Sequence, residues 1–147
     1  MAHASHAESL TPSARGSIAA SRPAYQAYLI LYVGFIALPI AAGLDKFFHL
    51  LVDWGQYLAP LVTRILPVTS DMFMLLVGVI EIAAGVLVAI RPRIGAYVVA
   101  LWLLGIILNL LLVPGFYDVA LRDFGLAVGA FALARLSTEF DPRPFGV

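Results

Sequence analysis

Residues 72–113 read MFMLLVGVIEIAAGVLVAI-RPR-IGAYVVALWLLGIILNLLLV. Two long apolar runs, Met72–Ile90 and Ile94–Val113, flank the basic tripeptide Arg91-Pro92-Arg93. The first run is interrupted only by Glu81 and the second only by Asn109. Their 19 and 20 residues span roughly 28–30 Å as helix, one hydrocarbon thickness. An unpaired strand cannot cross lipid, and the runs show no alternation, so the pattern predicts two membrane-spanning helices joined by a tight basic turn.

Working outward, two more runs follow the same rule. Ala27–Leu44 carries no charge; Val119–Leu136 carries Arg122 and Asp123 near its start and Arg135 near its end. The prediction is an all-α integral membrane four-helix bundle over residues 23–137, with helices at about 25–50, 71–90, 94–113 and 118–137. Pro114 and Gly115 end the third helix. Residues 1–22 are polar and rich in Ala, Ser and His, and read as a disordered or partner-bound tail; residues 138–147 form a C-terminal tail. Between Asp53 and Asp71, Tyr57, Leu58, Leu61, Val62, Ile65 and Leu66 recur at helical spacing up to Pro67. That spacing predicts a short amphipathic helix on the membrane face.

Composition agrees. Of 147 residues, 62% are hydrophobic and 12% charged, and the mean hydropathy is +0.96. Soluble domains hold about 45–50% apolar and about 25% charged residues. Nine basic residues balance nine acidic ones, so no basic surface invites nucleic acid. The absence of cysteine excludes disulfides, thiol chemistry and cysteine-held metals. Arg15, Arg22, Arg91, Arg93, Arg135 and Arg143 fall on one side of the predicted topology, and Lys46, Arg64 and Arg122 on the other. That asymmetry predicts cytoplasmic termini, and tyrosines and Trp54 near the segment ends suit an interfacial belt.

Ionisable groups within lipid are costly unless paired or wet, so the few polar residues in the spans are the informative ones. They are Asp45, Lys46, Glu81, Asn109, Arg122 and Asp123. Glu81 stands at the middle of its run, and Arg122 is the cation expected to reach down to it, with Asn109 and Asp45 close by. Gly78 and Gly85 share the Glu81 stripe, Gly105 that of Asn109, Gly125 and Gly129 that of Arg122, and Gly34 that of Asp45, as close helix packing favours. Such a network either holds the bundle together or binds a proton or ligand. Asp45, His49 and Asp53 would share a face if the first helix ran on, yet the spacing is weak and no metal site is expected. No facing histidines suit haem, and no nucleotide, hydrolase or zinc-protease motif occurs.

Gly43-Leu44-Asp45-Lys46-Phe47-Phe48, Trp54-Gly55-Gln56-Tyr57-Leu58-Ala59-Pro60, Val77-Gly78-Val79-Ile80-Glu81-Ile82 with Arg91-Pro92-Arg93-Ile94-Gly95, and Arg122-Asp123 heading a Gly/Ala-rich helix together resemble DoxX-like bacterial membrane proteins over about residues 25–137. The resemblance implies a multi-pass protein of the bacterial inner membrane. It further implies an accessory subunit of a respiratory or photosynthetic electron-transfer complex, without a redox centre of its own and beside other integral subunits. It supplies no catalytic residues, and the lack of cysteine departs from members proposed to handle thiols. The alternative is a small-molecule, quinone or proton binding or transport module built on a Glu81–Arg122 site. Membrane lipids are the expected surroundings, no cofactor of the protein's own is expected, and the spans leave room for a bound lipid or quinone. No nucleophile–base pair favours an enzyme.

Overall fold

The computed structural model describes residues 23–141; the expected tail at residues 1–22 and the chain from residue 142 onward lie outside the described residues. The described chain is helical: α1 (Pro23–Phe48), a 3₁₀ turn (Trp54–Tyr57), α2 (Pro60–Ile65), α3 (Ser70–Ile90), α4 (Pro92–Leu111) and α5 (Tyr117–Phe140). The four long helices begin and end within three residues of the predicted bounds. The last extends to Phe140, so part of the expected C-terminal tail is helix.

Local chemistry sets these boundaries. Pro92 cannot continue α3, and it opens α4 where a missing N–H costs nothing. Arg91 serves both helices: its N–H donates to Leu87 O at 2.7 Å, and its carbonyl accepts from Gly95 N at 2.8 Å. The Thr69 hydroxyl caps α3 by accepting from Met72 N at 3.3 Å. α1 stops because His49 turns left-handed (φ 53°) while its N–H still bonds to Asp45 O at 2.7 Å. Asp45, His49 and Asp53 therefore share no helical face. The predicted amphipathic helix shrinks to the six residues of α2, because Pro60 can start a helix but not sit inside one. Leu58 and Ala59 before it are buried, while Leu61 and Ile65 on it are exposed.

α1, α3 and α4 are long and apolar enough to cross a membrane. α5 is as long but carries Asp118, Arg122, Asp123, Arg135 and Glu139, so composition marks three spans rather than four. The helices form a ring in which α1 packs on α3 and α4 on α5 most extensively, α3 on α4 less, and α1 on α5 least. The two ends of the bundle differ. Toward the α3–α4 turn, Phe35, Ala84, Val88, Ala96, Val99, Ala100, Ala130, Leu133 and Ala134 make a close-packed core. Tyr25, Tyr28, Tyr32 and Phe140 cover its end with ring centroids 5.5–6.2 Å apart, and the Tyr32 hydroxyl donates to Ala89 O at 2.9 Å. Toward the loop end, Leu58, Met74 and Val77 form a smaller buried cluster, edged by Trp54, Val62, Phe73 and Trp102.

Glycines decide how closely the helices meet. A Cβ on Gly43 would stand 2.6 Å from Gly78 O, and one on Gly78 would stand 2.8 Å from Gly43 O, so α1 and α3 touch backbone to backbone there. Gly85 likewise meets Ile36 O at 2.9 Å, and a Cβ on Gly95 would collide with the Val88 backbone. Gly34, Gly105 and Gly125 meet nothing; the expected close packing holds along the Glu81 stripe and fails at these three. Gly95→Val is therefore expected to destabilise the bundle by at least the 1–3 kcal/mol typical of about one overpacked site. Gly34→Ala is expected to leave it unchanged. Thermal unfolding in detergent measures both.

Candidate functional site

The Gly43–Gly78 contact brings together the two residues one turn further along each helix. A helical side chain leans toward its own N-terminus. Lys46, three residues beyond Gly43, leans back along α1, and its ammonium lies 3.5 Å from Ala42 O. Glu81, three residues beyond Gly78, leans back along the antiparallel α3. The two converge at the glycine contact: Lys46 Nζ donates to Glu81 Oε2 at 2.6 Å. The pair is buried, with side-chain exposures of 2% and 10%. Lys46 Nζ also sits 3.6 Å from the centroid of the Trp54 ring, a cation–π contact that compensates for lost hydration.

The partner expected for Glu81 is thus corrected. Arg122 lies on α5, which runs parallel to α3, so its side chain leans away from the Glu81 level. It donates to Asp118 Oδ2 at 3.2 Å, one turn back on its own helix, and both side chains are about 70% exposed. Reaching Glu81 would require Arg122 to lean toward the C-terminus of α5, opposite to the usual tilt of a helical side chain.

Asp45 and Asn109 have other work than meeting Glu81. Asp45 Oδ1 accepts from Leu50 N and Leu51 N at 3.0 Å each, and Oδ2 accepts from Trp54 Nε1 at 2.7 Å. One carboxylate thereby ties down the chain leaving α1 and holds Trp54 over Lys46. Asn109 Oδ1 accepts from Ala59 N at 2.9 Å, and Nδ2 donates to Tyr57 O at 2.6 Å. Its amide replaces the missing backbone partners of the loop between the 3₁₀ turn and α2, fastening it to α4. Trp54 suits an interfacial belt by its position in the sequence, and Trp102 stands in the α4 apolar run. Nothing in their spacing tells that one caps a buried lysine and that the other brings its indole N–H up to Glu81 without closing a hydrogen bond.

Above the packed core, the helices border a half-open cavity of about 700 Å³. Phe35, Ala84 and Val99 form its floor; Trp54, Leu58, Val62 and Phe73 form its roof. Leu38 and Pro39 of α1, and Val119 and Leu126 of α5, line the side where those helices touch least. The wall is apolar and aromatic except for Lys46, Glu81, Tyr57, Asn109, Arg122, Asp123 and the two indoles. Five of the six polar residues singled out in the sequence, all but Asp45, therefore border one space. Asp123 is half-buried there, with no hydrogen bond or ion pair among the described residues.

Removing Lys46 while leaving Glu81 strands a buried charge, a change that costs about 3–5 kcal/mol in soluble proteins. Lys46→Met should lower stability by about 3 kcal/mol, and Lys46→Met/Glu81→Met should recover most of it, as expected when an apolar pair replaces a buried ion pair. Arg122→Ala should cost about 1 kcal/mol or less, since its pair is exposed. Unfolding curves of the three variants in detergent separate the pairs: a larger loss for Arg122→Ala than for Lys46→Met contradicts the assignment.

Comparison of the chain with protein-family models, curated proteins and solved structures finds no match. What the protein does is therefore read from the geometry of this site.

Proposed function

We propose that the protein is a membrane-embedded binding module that takes a small lipophilic molecule into the space between its four helices. The observation that carries this reading is the cavity of about 700 Å³ beneath the loop, bordered by a buried Lys46–Glu81 pair. Small-molecule sites are mostly apolar spaces of about 300–1,000 Å³ with a few placed polar groups. The accessory-subunit reading rests on the DoxX-like resemblance alone. The polar groups of the proposed site are Lys46, Glu81 and Asp123, with Arg122 at its edge.

The same proposal takes α5 as a fourth span and places both termini in the cytoplasm of a bacterial cell, with the loop outside its inner membrane. α5 supports this by its length and its packing on α4. Its charges stand near its ends, and Phe124–Ala134 carries none. Arginines near the ends of a span can extend toward the interface. Reporter fusions at residue 60 and at the C-terminus should signal opposite sides of the membrane; signals from one side contradict the four-span topology.

Binding has a built-in reporter, because both tryptophans of the chain border the cavity. A dibrominated dodecyl alcohol should quench tryptophan emission saturably in nanodiscs. Gly105→Phe should fold, since a Cβ there meets nothing, and should abolish saturation by filling the space. Quenching that rises linearly in both proteins, as from the bilayer alone, contradicts the proposal.

A further inference from the structure

We infer that the molecule held in this cavity is a lipophilic monocation, an amine or quaternary ammonium with an alkyl or aromatic body, and that Asp123 is its counter-ion. The inference rests on the binding reading above and adds the charge of the ligand to it. It follows from how the charges around the space are already paired. Lys46 is taken by Glu81 at 2.6 Å and covered by Trp54. Arg122 is taken by Asp118, outside the space, with both side chains largely exposed. Asp123 follows Arg122 in sequence, but adjacent residues on a helix point in different directions. It turns inward, half-buried on the cavity wall, with no ion pair among the described residues.

With the exposed Asp118 counted, three acids, Glu81, Asp118 and Asp123, stand around the space against two cations, Lys46 and Arg122. A neutral ligand would leave the Asp123 carboxylate without a directly paired cation, and an anionic one would face it directly. A cation supplies the missing charge in a setting where an unpaired ion is costly. The aromatic wall favours the same class. Phe35, Phe73, Tyr57 and Trp102 border the space, and ring faces attract ammonium groups, above all those shed of water. Lys46 against Trp54 is an instance of that attraction within the same site. The apolar remainder of the wall suits the body of such a molecule.

The test compares two quenchers of the same dibrominated dodecyl chain, one ending in an alcohol and one in trimethylammonium. Both are titrated into the full-length protein in phosphatidylcholine nanodiscs, whose surface carries no net charge. The ammonium is expected to reach half-maximal tryptophan quenching at a mole fraction about tenfold lower than the alcohol, a difference of roughly 1.4 kcal/mol. Asp123→Asn should erase that preference, so that the ammonium and the alcohol saturate at similar mole fractions. Glu139→Gln, at the other end of α5, should preserve the preference. Equal potency of the two head groups overturns the inference while the cavity reading stands, and so does a preference that survives in Asp123→Asn. Saturation by neither compound overturns both. The head-group comparison is made on the unsubstituted protein, so it decides the matter even if Asp123→Asn does not fold.

Discussion

Two glycine backbones in contact, Gly43 on α1 and Gly78 on α3, set the position of nearly everything at the loop end of this bundle. Helices can approach this closely only where neither carries a side chain. Because the helices are antiparallel and side chains lean toward N-termini, Lys46 and Glu81 converge on that contact from opposite directions. The resulting 2.6 Å pair lets a lysine and a glutamate reside where hydration is absent. Trp54 then lies against the ammonium, and Asp45 fixes Trp54 by accepting its indole N–H. The loop is fastened a second time by Asn109, through the backbone of Tyr57 and Ala59. The chain of dependence runs from a packing contact, through an ion pair, to the roof over a cavity.

The contrast between the bundle's two ends has the same origin. Toward the α3–α4 turn, alanines and Gly95 let three helices close on one another around Val88 and Leu133. Toward the loop, α1 and α5 touch least and the cavity opens between them. Gly105 meets no neighbour there, and the space is bordered by side chains from α1, the 3₁₀ turn, α2, α3, α4 and α5. Small residues draw helices together only where both partners present them. A lone glycine opposite a distant helix widens a gap instead.

The charges at the start of α5 divide by direction. Arg122 and Asp118 are one turn apart and pair on the outside; Asp123, one residue on, faces inward. This division leaves Arg122 at the edge of the cavity, paired on its outer side, and turns Asp123 further inward. A buried pair such as Lys46–Glu81 does not by itself add stability over an apolar pair of similar volume. Its presence beside a large apolar space is more readily understood as part of a binding wall than as a brace.

Much of the architecture was legible in the sequence for a simple reason: backbone groups in lipid must bond within their own segment. Apolar runs of 18 to 20 residues, broken by Arg91-Pro92-Arg93 and by Pro114-Gly115, leave no option but helices of nearly the observed lengths. The same cost of burying charge marked Lys46, Glu81 and Asp123 as residues to watch. What the sequence could not convey was which partner each would meet. Axial depth can be counted from residue numbers, and on depth alone Arg122 suited Glu81. Pairing also depends on which way each side chain leans and on which helix lies alongside, and those follow from helix direction and from the Gly43–Gly78 contact. The cavity was invisible for the same reason, being a property of no single helix. It exists because α1 and α3 close at one point while α4 and α5 stand off from it, and only the packing of all four decides that.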